Sequence, residues 1–127
     1  MVPFLLYKSM KKIFLVEDDQ AIREVLEIFF TSENYVVQAF GTVKEFTERD
    51  ISETPDLYLF DVMLPDGSGI DLCKQIKENQ VNNEVPVIVM SAHAQLHQII
   101  SICEPDDMIS KPFDIDDLMN RIKKIID

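Results

Sequence analysis

Three acidic side chains in this sequence close short apolar runs. Glu17 and Asp18 follow Lys12-Ile-Phe-Leu-Val16, and Asp61 follows Leu57-Tyr-Leu-Phe60. Each run has the length and composition of a strand buried on both faces that opens onto a polar edge. If the two strands end side by side, three carboxylates crowd into one crevice, where two unit charges ~4 Å apart cost about 4 kcal/mol at an effective dielectric near 20. Such a site must bind a cation or keep a proton. Oxygen ligands without Cys or His select Mg²⁺ or a similar hard divalent ion, whereas calcium wants more ligands. Ser91 ends a further apolar run, Val85-Pro-Val-Ile-Val-Met90, and Lys111 follows Met108-Ile109 just before Pro112. A hydroxyl and an ammonium thus join the same edge. A carboxylate nucleophile, a divalent metal, a positive charge and a hydroxyl are the parts needed to accept a phosphoryl group, whose transfer depends on positioning and charge neutralisation. Asp61 is the acceptor singled out. The Lys111–Pro112 bond is a candidate for the cis form, which would aim the ammonium inward, with trans the default by base rate.

For these strand ends to share an edge, helices must return the chain between them. Ile22, Val25, Leu26 and Phe29 recur at helical spacing after Asp18 or Asp19 as cap, which predicts a helix from Gln20 to about Ser32. Tyr35 to Phe40 reads as a second strand, and Thr42 with Glu45 resembles a capping box for a helix through Val43 and Phe46 that ends by Pro55. Leu64-Pro-Asp-Gly-Ser-Gly69 is turn chemistry, with Asp66 assigned to the turn itself. Ile70, Leu72, Cys73 and Ile76 give a third helix its inner face, a weaker helical segment spans about Leu96 to Ile102, and Asp114 caps a C-terminal helix through Ile115, Leu118, Met119, Ile122 and Ile125. Five strands alternating with five helices call for an α/β doubly wound parallel sheet with helices on both faces. Right-handed crossovers favour the order 2-1-3-4-5, in which ligands sit beyond the carboxyl ends of strands 1 and 3. Both acid groups end those two strands.

With 127 residues, 46% of them hydrophobic, the chain has room for one domain. Its 23 acidic and 12 basic residues give a formal charge of -11, which disfavours direct binding to nucleic acid through phosphate neutralisation. No apolar run approaches the roughly 18 residues that cross a bilayer, so a water-soluble chain without membrane insertion is expected. Cys73 and Cys103, far apart and without a Cys-x-x-Cys motif, are expected to be two reduced, packed thiols in a cytoplasmic protein. Residues 1–9 are apolar but lack a basic leader and a cleavage site, so they read as an extension ahead of a domain spanning residues 10–127. Phe29, Phe30, Phe40, Phe46, Phe60 and Phe113 read as packing residues rather than a platform for bases.

Taken together, Leu15-Val-Glu-Asp-Asp19, Asp61-Val-Met-Leu-Pro-Asp-Gly-Ser-Gly69, Met90-Ser-Ala92 and Ser110-Lys-Pro-Phe113 resemble the motifs of receiver domains of two-component response regulators. The resemblance covers residues 11–127 and implies the flavodoxin-like form of the sheet. It implies that Asp61 takes phosphate from a sensor histidine kinase or phosphotransfer protein. It further implies that Asp18, Asp61 and the backbone carbonyl of Met63 bind Mg²⁺ with support from Glu17, and that Lys111 pairs with the phosphoryl group. Ser91 would move toward that group and alter the face formed by the last strand and the helices on either side of it. A downstream protein target would read that face, with the chain a monomer or a weak phosphorylation-dependent dimer. The sequence departs from the pattern at Met108, where the family places Tyr or Phe. It departs again at Glu104-Pro105, which replaces a small pair, and the helix around residues 96–102 is expected to be short or displaced.

Blander readings stand beside these. Glu17, Asp18 and Asp19 could be a solvated capping cluster, which suits Asp19 best. Asp106 and Asp107 are expected to be solvated, His93 to be an exposed loop residue bordering the pocket, and His97 a helix-surface residue. Three functions compete: a phosphorylation-controlled, stand-alone interaction module that is not an enzyme, a Mg²⁺-dependent phosphatase of the haloacid dehalogenase type, and a degenerate receiver that works without phosphate. The phosphatase wants a second Asp two residues after its nucleophile, and that position is Met63.

Overall fold

A computed structural model describes residues 10–79, 84–92, 99 and 101–127. Five parallel strands form the sheet: β1 (Lys12–Val16), β2 (Val36–Phe40), β3 (Leu57–Asp61), β4 (Val87–Ala92) and β5 (Asp107–Lys111). Their order is β2-β1-β3-β4-β5, as the alternation of elements predicts. Among the described residues four helices connect or follow them: α1 (Gln20–Ser32), α2 (Val43–Thr47), α3 (Gly69–Glu78) and α4 (Ile115–Ile126). A small antiparallel hairpin, Met63–Leu64 against Gly67–Ser68, fills the turn between β3 and α3. Residues 99, 101 and 102 are helical, so part of the expected helix before β5 is present, while the rest of it, with His93 and His97, lies outside the described residues. The proposed extension, residues 1–9, also lies outside them.

The side-chain alternation of β1, β3 and β4 divides the core in two. Phe14, Val16, Tyr58, Phe60, Val87 and Val89 pack with α2 and α3. Ile13, Leu15, Leu57, Leu59, Ile88 and Met90 pack with Leu26 and Phe30 of α1 and Leu118, Met119 and Ile122 of α4. All five residues of β3 are buried, which is why its sequence is a continuous apolar run. Phe46 meets Phe40, Phe60 and Tyr58 edge-on at 5.3, 5.4 and 6.0 Å. Each such side chain contributes about 1.5–3 kcal/mol by burial, so this cluster anchors the short α2.

Several expectations are corrected. In α1 the apolar stripe is wider than its contact with the sheet: Leu26 and Phe30 are buried, whereas Val25 and Phe29 are 48% and 39% exposed. Phe113, half-buried, packs against the α1/α4 cluster as expected. Cys73 and Cys103 are joined in a disulfide rather than held as separate thiols. The fold returns the chain through β4 to lay residue 103 beside α3, with the two Cα atoms 6.1 Å apart, within bridging range. No helix among the described residues is long and apolar enough to cross a membrane.

Candidate functional site

Register brings the acidic residues together. Val16 of β1 pairs with Phe60 of β3, so Glu17 and Asp61 are the next residues along neighbouring strands. Val16 and Phe60 face α2 and α3, and alternation therefore turns Glu17 and Asp61 to the side of α1 and α4. Ile109 lies on that same side, and Lys111 follows it by two. The carboxylates of Glu17, Asp18 and Asp61 each offer an oxygen within 4.8 Å of the others. Glu17 is fully buried and Asp61 nearly so, while Asp18 is exposed.

The Lys111 ammonium donates to Glu17 Oε1 at 2.8 Å and lies 3.2 Å from Asp61 Oδ2. Two carboxylates thus share one cation. Burial pushes the Glu17 carboxyl up to about 8, helped by a hydrogen bond with Asp61 and opposed by Lys111. For Lys111 burial acts downward, but Glu17 and Asp61 outweigh it and its pKa is raised. Glu17 Oε2 is buried with no hydrogen-bond partner among the described residues. An all-oxygen donor set with an orphaned buried oxygen and surplus negative charge fits a hard divalent cation such as Mg²⁺.

Other groups complete the edge. Ser91 is buried at the end of β4 with its hydroxyl unpartnered among the described residues, and alternation puts it on the side of Val89, opposite Asp61's row. Met108 packs half-buried against that same α2/α3 cluster. The side chain of Met63 is 66% exposed in the hairpin that follows Asp61. The Lys111–Pro112 peptide bond is cis, against the default expected from sequence.

Four supporting residues escaped the sequence reading or were assigned otherwise. Arg23 of α1 donates through one guanidinium nitrogen to the carbonyls of Glu17 at 2.8 Å and Asp18 at 3.4 Å, tying down the acidic turn. Its spacing from that turn, about one and a half helical turns, was the available signal. Asp66 does not simply serve its own turn: its carboxylate accepts from the amides of Val43 at 2.8 Å and Lys44 at 2.9 Å, capping α2 from 22 residues away. Asp106 accepts from the amide of Val87 at 2.7 Å and from Lys77 at 2.6 Å, and Asp107 pairs with Arg121 at 2.8 Å, so neither is merely solvated. Asp19, as expected, caps α1 by accepting from the Ile22 amide at 3.1 Å. Thr42 likewise caps α2 at the Glu45 amide, while the Glu45 carboxylate reaches back to the Gly41 amide.

This geometry, acids at the ends of β1 and β3 with a lysine at the end of β5, coincides with a match of residues 13–123 to the response regulator receiver domain family. The chain belongs to that family. Response regulator ArlR of Staphylococcus saprophyticus is 36% identical over 119 residues, covering 92% of this chain and 53% of ArlR. The chain spans about half the length of the curated relatives it matches. Among solved structures, the CheY-like receiver domain protein of Methanospirillum hungatei superimposes with a TM-score of 0.82 at 29% identity, covering 91% of this chain and 93% of its own. The BeF3-activated receiver domain of DrrB, from Thermotoga maritima, gives a TM-score of 0.79 at 29% identity, with 91% and 97% covered.

Proposed function

We propose that residues 10–127 form a phosphoacceptor module in which Asp61 receives a phosphoryl group from a histidine kinase or phosphotransfer protein. The observation that carries this reading is the shared cation: Lys111 stands between Glu17 and Asp61, in position to hold an oxygen of a group attached to Asp61. Glu17, Asp18, Asp61 and the Met63 carbonyl would hold Mg²⁺, which when bound supplies charge neutralisation for an incoming phosphoryl oxygen. The Asp61 carboxylate attacks phosphorus, the donor's bond to phosphorus breaks, and an aspartyl phosphate results. Ser91, with a buried hydroxyl unpartnered among the described residues, is the group that gains most from an acceptor oxygen arriving at this edge. The modification adds about -1.5 to -2 charges and three acceptor oxygens, and Ser91, Met108 and Lys111 would carry its effect to β5 and the flanking face. The module's own chemistry is limited to this phosphorylation and its slow reversal.

A protein donor, rather than only a small one, is favoured by the surface beside Lys111. A groove of about 550 Å³ is lined by Ile22, Val25, Leu26, Pro112, Phe113 and Ile115, and Val25, Ile28 and Phe29 leave α1 with an exposed apolar face next to it. The phosphatase reading lacks its second acid, since Met63 holds that position. A phosphate-independent receiver would have no use for the assembled carboxylates and lysine.

Incubation with Mg²⁺ and acetyl phosphate, followed by intact mass and peptide mapping, tests the proposal. A single phosphoryl adduct on Asp61, absent in Asp61→Asn and without Mg²⁺, is expected. An adduct elsewhere would remove Asp61 from its role, and rapid turnover of phosphoesters would favour the phosphatase.

A further inference from the structure

The two cysteines have no part in the acidic crevice. Cys73 lies on the buried face of α3, and Cys103 follows the helical residues 101 and 102, its amide donating to the carbonyl of Ile99 at 2.9 Å. Both belong to the apolar cluster on the α2/α3 side, with Ile99, Leu72 and Ile76. Their bond closes a span of 30 residues that carries β4 and Ser91. It fastens the segment entering β5 to α3.

Access to the two sulfurs is unequal. A cleft of about 280 Å³ reaches the largely buried Cys103 and is lined by Lys74, Lys77, Glu78, Ser101, Ile102 and Glu104. Cys73 is fully buried and does not line that cleft. A cysteine that lines a cleft can be met by a small thiol or disulfide, whereas a thiol sealed in an apolar core is inert. The arrangement therefore separates an attacking cysteine at the cleft from a resolving cysteine behind it.

We infer that Cys73 and Cys103 are a dithiol–disulfide switch operated through this cleft by a small disulfide, and that its state changes how Asp61 responds to phosphorylation. In the closing direction the Cys103 thiolate attacks one sulfur of R–S–S–R, forming a mixed disulfide and releasing R–S⁻. Cys73 then attacks the Cys103 sulfur, the mixed S–S bond breaks, and a second R–S⁻ leaves. The two protons lost by the cysteines are recovered in two R–SH, so two protein thiols are oxidised and one small disulfide is reduced. Two R–SH reverse the sequence. The coupling to Asp61 rests on the phosphoacceptor reading above: the closed form tethers the segment that precedes β5, and so restrains the element through which Lys111 and Met108 would respond.

The whole chain is to be equilibrated with reduced and oxidised glutathione at varied ratios, quenched in acid, alkylated with maleimide and weighed intact. A reversible exchange between doubly alkylated and unalkylated protein is expected, with a glutathione adduct accumulating on Cys103 in Cys73→Ala. In Cys103→Ala, adduct formation on Cys73 should be at least about tenfold slower, as its burial requires. Equal rates on the two single variants, or two free thiols at every ratio, would overturn the switch. In a second arm, reduced and oxidised protein receive Mg²⁺ and acetyl phosphate, and the lifetime of the Asp61 adduct should differ by at least about fivefold. Equal lifetimes would overturn the coupling alone. No adduct in either form would overturn the phosphoacceptor reading and the coupling with it, leaving the thiol exchange to be judged by alkylation.

Discussion

Lys111 approaches Glu17 more closely than Asp61, at 2.8 Å against 3.2 Å, although Asp61 is the proposed phosphoacceptor. Burial disfavours the charged form of Glu17, Asp61 adds to this and Lys111 offsets only part of it, so Glu17 holds a proton up to about pH 8 instead of releasing it at an ordinary 4.5. Between those values the folded chain carries a proton that the unfolded chain has lost. Raising the pH through this window therefore favours unfolding, with a slope that approaches about 1.4 kcal/mol per pH unit. Below 4.5 both states hold the proton and above 8 neither does, so the slope vanishes at both ends. Urea denaturation from about pH 5 to about pH 9 without divalent metal should show this fall in stability, and Glu17→Gln should flatten it. An equally steep slope in the variant would place the titrating group elsewhere.

At the proposed metal site a divalent cation would compete with that same proton. Mg²⁺ should consequently raise the melting temperature more at pH 8 than at pH 6, because at the lower pH its binding must first expel the Glu17 proton. At a concentration a hundredfold above its dissociation constant the stabilisation is about 2.7 kcal/mol. Asp61→Asn removes one of the three carboxylates that could hold the ion and should abolish most of this response while leaving the metal-free protein at least as stable as the parent, since a source of repulsion is gone. Thermal scans with and without Mg²⁺ at the two pH values measure both effects.

Gly69 lies directly beneath the backbone of Asp61. A Cβ at position 69 would overlap the Asp61 carbonyl oxygen, and the Gly69 amide also donates to the carbonyl of Val62 at 3.1 Å. The obstacle is backbone rather than a side-chain tip, so the strand end itself must shift. Gly69→Ala should lower stability by about 2–3 kcal/mol and slow phosphorylation of Asp61, through displacement of the acceptor. A variant with parental urea midpoint would show that this contact is softer than it looks.

Asp66 joins the hairpin after β3 to the start of α2. The amides of Lys44 and Val43 hold its carboxyl below the usual carboxylate range. Its contribution is therefore complete above pH 3.8 and is lost as pH falls through the lowered folded-state value. Asp66→Ala should lower the melting temperature at neutral pH and reduce the acid sensitivity of the loop, and Asp66→Asn should recover part of the loss because an amide oxygen still accepts. Amide hydrogen exchange at Val43 and Lys44 reads the cap directly.

What could be read from the sequence follows one physical rule. Buried parallel strands write themselves as apolar runs, and the polar residues that stop those runs must gather at one edge, so Glu17, Asp18, Asp61, Ser91 and Lys111 were accessible without coordinates. Relationships across loops were not accessible. Asp66 looks like an ordinary Pro-Asp-Gly turn residue, and nothing local reveals that its acceptor atoms point at α2. Val25 and Phe29 fit a helical stripe as well as Leu26 and Phe30 do, because α1 carries apolar residues around more of its circumference than the sheet covers. The proximity of Cys73 and Cys103 arises from a chain reversal through β4, which spacing along the sequence conceals.

Ser91 separates stability from response. Its hydroxyl is buried and unpartnered among the described residues, so the unphosphorylated fold bears the cost of a desolvated polar group. Removing such a group is commonly neutral or favourable, whereas removing a satisfied one costs about 1 kcal/mol. Ser91→Ala should therefore leave the urea midpoint of the unphosphorylated chain unchanged or slightly raised. The same variant should lose most of the difference between phosphorylated and unphosphorylated forms, for example in amide exchange along β5, because only a group that bonds the phosphoryl oxygens in one state can bias the equilibrium between states. Ser91→Thr keeps the hydroxyl and should keep the difference. If Ser91→Ala instead destabilised the unmodified protein by more than about 1 kcal/mol, the hydroxyl would have to be satisfied already, and its freedom to meet an incoming phosphoryl group would be gone.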